Sequence, residues 1–157
     1  MTNIGDLYDQ DFFLWTQQQA MALRAVKKSN LPLDWDNLAE EIESLGKAQR
    51  GELGSQIRRI LRHLFKLEAF PAMNPQAGWR ATIRDARVEI EELLEISPSL
   101  RREIEVVVRK QTAAAAKLAA ADLEDFGEPA DNIKTRLDKG GFTAEQVLGD
   151  WLPGTSG

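Results

Sequence analysis

Residues 34–70 read DWDNLAEEIESLGKAQRGELGSQIRRILRHLFKLEAF. Leu38, Ile42, Leu45, Leu53, Ile60, Leu64 and Leu67 return at the intervals that put side chains on one face of an α-helix. The stretch therefore predicts one long amphipathic helix opening near Asp34-Trp35-Asp36, with Asp36 as its N-cap and Glu40 and Glu41 in or near the first turn. Gly46, Gly51 and Gly54 interrupt the pattern, each costing about 1 kcal/mol against alanine in an exposed helix. They mark either a bend or places where another backbone approaches closely.

The same period extends in both directions. Residues 8–28 predict a helix with Phe12, Trp15, Gln19, Leu23 and Val26 inward, acids at its start and Lys27 and Lys28 at its end, the polarity that the helix dipole favours. Pro71, Pro75 and Gly78 make 70–78 a connection. A third helix follows over 79–95, with Trp79, Ile83, Ala86, Ile90, Leu93 and Leu94 inward. Ser97-Pro98 reads as an N-cap followed by proline at the first helical position. The helix it opens runs to Leu123 through Leu100, Ile104, Val107, Gln111 and Leu118, with the alanine tracts 113–116 and 119–121. Gly127 and Pro129 end it. Thr143 with Gln146 caps a short helix through Leu148, and Trp151, Leu152 and Pro153 anchor the tail. The expected architecture is all-α: a helical bundle of four main helices plus a short C-terminal helix. It forms one domain over 1–157, frayed at 1–5 and 154–157.

Composition bounds the chemistry. The 157 residues contain no cysteine and a single histidine, which excludes a disulfide framework, a thiolate site and a histidine-only metal cage. No secretory signal and no apolar run of about 20 residues is visible. The net charge of −5 is unevenly spread. Residues 1–46 hold eight acids and three bases, residues 47–117 fourteen bases and nine acids, and residues 118–157 eight acids and three bases.

Three constellations stand out. Glu40, Glu41 and Glu43 form a tight acidic cluster, but there is no Glu-x-x-His pair. His63 stands twenty residues beyond Glu43, about 30 Å along a straight helix, so neither metal ligands nor catalytic residues are assigned. Gln49, Gln56 and His63 repeat every seven residues beside the apolar stripe. They form a polar seam that either fixes helix register or lines a crevice. Arg58, Arg59 and Arg62, with Arg80, Arg84 and Arg87 at i, i+4 and i+7, form a basic face able to grip phosphates.

Several blocks resemble the domain of unknown function 29 family. They are Tyr8-Asp9-Gln10-Asp11-Phe12 with Trp15; Asp34-Trp35-Asp36-Asn37-Leu38-Ala39-Glu40-Glu41-Ile42-Glu43-Ser44-Leu45-Gly46; His63-Leu64; Trp79-Arg80-Ala81-Thr82-Ile83; Ser97-Pro98-Ser99-Leu100; and Phe142-Thr143-Ala144-Glu145-Gln146. Leu67 departs from the pattern, which more often carries tryptophan there. The resemblance implies a compact bacterial helical bundle without an established activity, and it supplies no catalytic residues. The expected mode of action is binding, as a protein-interaction module or small homo-oligomer of a bacterial cytoplasm, away from membranes and with no cofactor. RNA or DNA binding through the basic face is the alternative, and a carboxylate/histidine metal enzyme ranks below it.

Overall fold

The computed structural model describes residues 4–26, 30–70 and 75–154, which hold seven α-helices and no strand. These are α1 (Ile4–Gln10), α2 (Phe12–Ala25), α3 (Trp35–Ala69), α4 (Gln76–Ile96), α5 (Ile104–Asp125), α6 (Asp131–Asp138) and α7 (Ala144–Leu148), with a 3-10 turn over Pro98–Glu103 before α5. The all-α class follows as the periodicity requires. The expected frayed residues 1–3 and 155–157, the helix-end lysines Lys27 and Lys28, and Pro71 lie outside the described residues. The chain divides into two compact units, Met1–Glu52 with Glu91–Arg102 and Leu53–Ile90 with Glu103–Gly157.

In the first unit, the single helix expected over 8–28 is broken at Asp11. Its backbone is extended, and its carboxylate accepts from Leu14 N–H at 3.0 Å, capping α2. The same carboxylate accepts from the Ser99 amide at 2.7 Å and the Ser99 hydroxyl at 2.8 Å, so a buried charge is met by three donors. Ser97 stands directly before the turn that Pro98 opens, its carbonyl accepting from Leu100 N–H at 3.0 Å, but its side chain does not cap that turn. Its hydroxyl accepts from Phe13 N–H at 3.0 Å, one of the orphan donors at the start of α2, and donates to Gln49 Oε1.

The break shifts the buried face of α2 by one residue, to Phe13, Thr16 and Ala20. Phe12 and Trp15, expected inside, instead stack on each other and take Tyr8 edge-on. Asp34, not Asp36, caps α3, accepting from Asn37 N–H at 3.3 Å and from the Asn37 side-chain amide at 2.7 Å.

Helix α3 passes through its glycines unbroken. Gly46 lies against α2, where an added Cβ would fall 2.3 Å from Thr16 Oγ1 and 3.4 Å from the Phe13 ring. Thr16 has no slack, because it is fully buried and donates to the Phe13 carbonyl at 2.7 Å. Gly46→Ala is therefore expected to lower stability by about 1–3 kcal/mol through overpacking, outweighing the gain in helix propensity. Gly51 faces open space, and Gly51→Ala is expected to raise stability by up to about 1 kcal/mol. Urea denaturation of the pair gives both signs, and a loss at both positions would contradict the close crossing.

The second unit is built on the apolar stripes of α3, α4 and α5. Leu53, Ile60, Leu64, Leu67, Trp79, Ile83, Ala86, Ile90, Ile104 and Val107 are buried as their spacing predicts. The alanines of α5 also turn inward at 115, 116 and 119, whereas Leu118, expected inside, is exposed. Gly54 lets α5 come close, its missing Cβ lying 3.2 Å from the Gln111 amide nitrogen. Gly127, at φ +75°, ends α5 as expected, with the Glu128 amide bonded back to Leu123 O at 2.8 Å. Helix α6 was not foreseen. The capping box at Thr143 and Gln146 is present on α7, and Trp151 lies 5.8 Å from the Phe142 ring.

Candidate functional site

Two surfaces carry the chemistry, one on each unit. On the first, α3 presents Leu38 and Leu45, which are 40% and 51% exposed. They were expected in the core with Ile42, which is half-buried. The physical reason is the contact with α2: the buried α3 residues there are the small ones, Ala39 and Gly46, one position round the helix. Close packing on small residues leaves the leucines beside them uncovered. Glu43, from the acidic cluster, accepts from Arg24 and lies 3.7 Å from Lys47, and Arg24 holds its carboxyl below the ordinary range. Glu40 and Glu41 are exposed and Trp35 is half-buried. Phe13, Thr16, Gly46, Lys47 and Arg50 line a cleft of about 360 Å³ between α2 and α3. Arg50 stacks over the Phe13 ring there at 5.2 Å.

The second surface is a charged cluster that sequence reasoning only half located. Asp122 of α5 accepts from Arg62 Nε and Nη2, both at 2.7 Å, and from Lys66 Nζ at 2.9 Å. The Arg62 fork is the main cause of its pKa, which falls to about 2, and Asp122 in turn raises that of Arg62. The Lys66 side chain is only 7% exposed, and its ammonium sits 4.9 Å over the Trp79 ring. His63 accompanies this cluster, its Nδ1 2.8 Å from the Arg59 carbonyl. Because a carbonyl only accepts, Nδ1 carries the proton. Burial, reinforced by Lys66, Arg62 and Arg59, pushes its pKa down to about 4, so the ring is neutral at physiological pH.

The three residues of the expected polar seam fall in different units. Gln49 belongs to the first unit, bonded to Ser97, while Gln56 and His63 belong to the second. The arginines also separate. Arg58 donates to Gln111 Oε1 at 3.3 Å, Arg80 donates to Gln76 at 3.1 Å, and Arg59 and Arg84 are exposed. Arg87 leaves the row, since it is 8% exposed and donates to the carbonyls of Val147, Gln146 and Trp151 at 2.9, 2.9 and 2.7 Å. Lys66, expected on the outer face of α3 with Arg58, Arg59 and Arg62, is buried instead, and Asp122, missed in the sequence, carries no local signal because it is a single charge whose partners lie about sixty positions away on another helix. Among the described residues, no three His, Cys, Asp or Glu side chains converge as a metal site would require, and no helix is long and apolar enough to cross a membrane.

The family model described as domain of unknown function DUF29 matches residues 7–152. A crystal structure of an alpha-helical protein of unknown function from Rhodospirillum rubrum is similar, with a TM-score of 0.60 and 25% sequence identity. That likeness covers 91% of this chain and 89% of that one. No curated protein matches.

Proposed function

We propose, on the premise that the chain belongs to the DUF29 family of domains of unknown function, that it is a non-catalytic protein-docking module. The docking element is the N-terminal third of α3, and the first occupant is a second copy. A single observation carries the reading: the apolar stripe that is buried from Leu53 to Leu67 continues into Leu38 and Leu45, which stay exposed. Large apolar residues repeating on an uncovered helix face are what helix-to-helix docking needs. A second copy carries the same uncovered stripe, so two chains related by a two-fold axis can each cover the other's Leu38 and Leu45. The setting we propose is a bacterial cytoplasm, which suits a cysteine-free chain and a similar protein from Rhodospirillum rubrum. Nucleic-acid binding has weaker support, since Arg87 is buried and Arg62 is held by Asp122.

Light scattering after size exclusion tests the reading. The chain is expected to run at twice its 17.6 kDa at high concentration. Leu38→Glu/Leu45→Glu is expected to run as the monomer, with stability changed by no more than about 0.5 kcal/mol because both sites are exposed. A monomer at every concentration, or a dimer indifferent to the two substitutions, overturns the reading.

A further inference from the structure

We infer that the second unit holds a binding site for a small phosphate monoester, in a hollow of about 300 Å³ lined by Ser55, Arg58, Arg59, Arg62, His63 and Leu118. The lining contains three guanidinium groups and no acid. Arg62 uses Nε and Nη2 on Asp122, and Arg58 uses one nitrogen on the neutral Gln111 amide. The Arg59 main-chain carbonyl accepts from His63, while its exposed side chain makes no hydrogen bond or ion pair among the described residues. The single carboxylate of Asp122 answers both Arg62 and Lys66, and no carboxylate lines the hollow beside Arg58 and Arg59. Planar guanidinium forks match the oxygens of a tetrahedral oxyanion, and the Ser55 hydroxyl adds a further donor. The hollow's volume falls at the lower end of the range of small-molecule sites.

His63 reports on the site. It meets Arg59, Arg62 and Lys66 from α3, and with Trp79 from α4 and Asp122 and Asp125 from α5 it lines the adjoining hollow of about 420 Å³. A bound phosphate, a monoanion at the pH where the ring titrates, offsets the positive field that helps keep the ring neutral, so binding and protonation of His63 favour each other.

The chain has one histidine, so its ring resonances in proton–carbon NMR spectra are unambiguous. Inorganic phosphate, glycerol phosphate and a short single-stranded oligonucleotide are each titrated at constant ionic strength set with chloride. The expected result is a saturable shift with both phosphate and glycerol phosphate, with a Kd on the order of 1 mM. The tighter of the two identifies a free or an esterified ligand. The His63 pKa is expected to rise by about one unit at saturation. Arg59→Ala, at an exposed position, is expected to weaken binding about tenfold while leaving the thermal midpoint of the free protein unchanged. A shift that fails to saturate, one that Arg59→Ala leaves intact, or one produced by the oligonucleotide alone overturns the assignment.

Discussion

Arg87→Ala is expected to destabilise the protein by about 3 kcal/mol and to release residues 144–152 from the second unit. The guanidinium is buried and donates three charge-assisted hydrogen bonds to main-chain carbonyls. Two of them belong to Gln146 and Val147 at the C-terminal end of α7, a helix of only five residues whose last carbonyls have no partner within the helix. The third belongs to Trp151, so one side chain ties the end of α7 and the tail to α4. Each such bond contributes about 1.5–3 kcal/mol when broken singly, and the three do not add because they share one donor group. Burial lowers the pKa of the guanidinium, with Asp150 partly offsetting it, yet an arginine stays charged where a lysine would be tempted to deprotonate. Arg87→Lys is accordingly expected to recover less than half of the loss, because a single ammonium cannot span three carbonyls. Chemical denaturation measures the loss, and hydrogen exchange of the 144–152 amides locates it. A cost below about 1 kcal/mol, or unchanged exchange in the tail, would show that α7 is held by Val147 and Phe142 alone.

The same arginine shows where the sequence is legible and where it stops. Arg80, Arg84 and Arg87 fall on one flank of a helix by period, and the period is real. It states which residues share a flank, but not which flank meets another element. The inward positions of α4 are all buried as read, from Trp79 to Leu94, because a strongly apolar stripe leaves one choice. The capping box of α7 is equally legible, being complete within four residues. Asp11 was not. Its extended backbone interrupts a good helical pattern because Ser99, 88 positions away, supplies two donors to its carboxylate. Helix α6 carries Ile133 and Leu137 as its only large apolar residues, too few to show a period over eight positions.

The two candidate surfaces fared differently for the same reason. The α3 stripe was visible in full, but its exposure at Leu38 and Leu45 depends on the small residues through which α2 packs. The arginines of the inferred oxyanion site were visible too. Which of them keep free valence was not, since that is decided by Asp122 and Gln111 on α5.

Asp122→Ala is expected to cost about 2–4 kcal/mol. Removing the carboxylate leaves the ammonium of Lys66, which is nearly closed off from water over the Trp79 face, without its ion-pair partner. The cost stays below that of a fully buried pair because Arg62 reaches water. Lys66→Met/Asp122→Leu, which removes both charges and keeps the volume, is expected to recover most of the loss; the double-mutant cycle then reports the coupling of the pair.

The pH dependence separates Asp122 from His63. Asp122 has a folded pKa of about 2 against an ordinary 3.8, so its stabilisation is complete above 3.8 and disappears as pH falls toward 2. His63 has a folded pKa of about 4 against 6.5, so its neutral form stabilises the fold in full above 6.5, and this is lost as pH falls toward 4. Both work in the same direction, and acid unfolding is expected to proceed in two successive windows, each on the order of 2 kcal/mol. His63→Asn is expected to flatten the window from 6.5 to 4, and Asp122→Ala the one below 3.8. Stability curves measured from pH 7.5 to 2.5 in which either variant keeps the wild-type slope in its own window would refute the assignment of that window to that group.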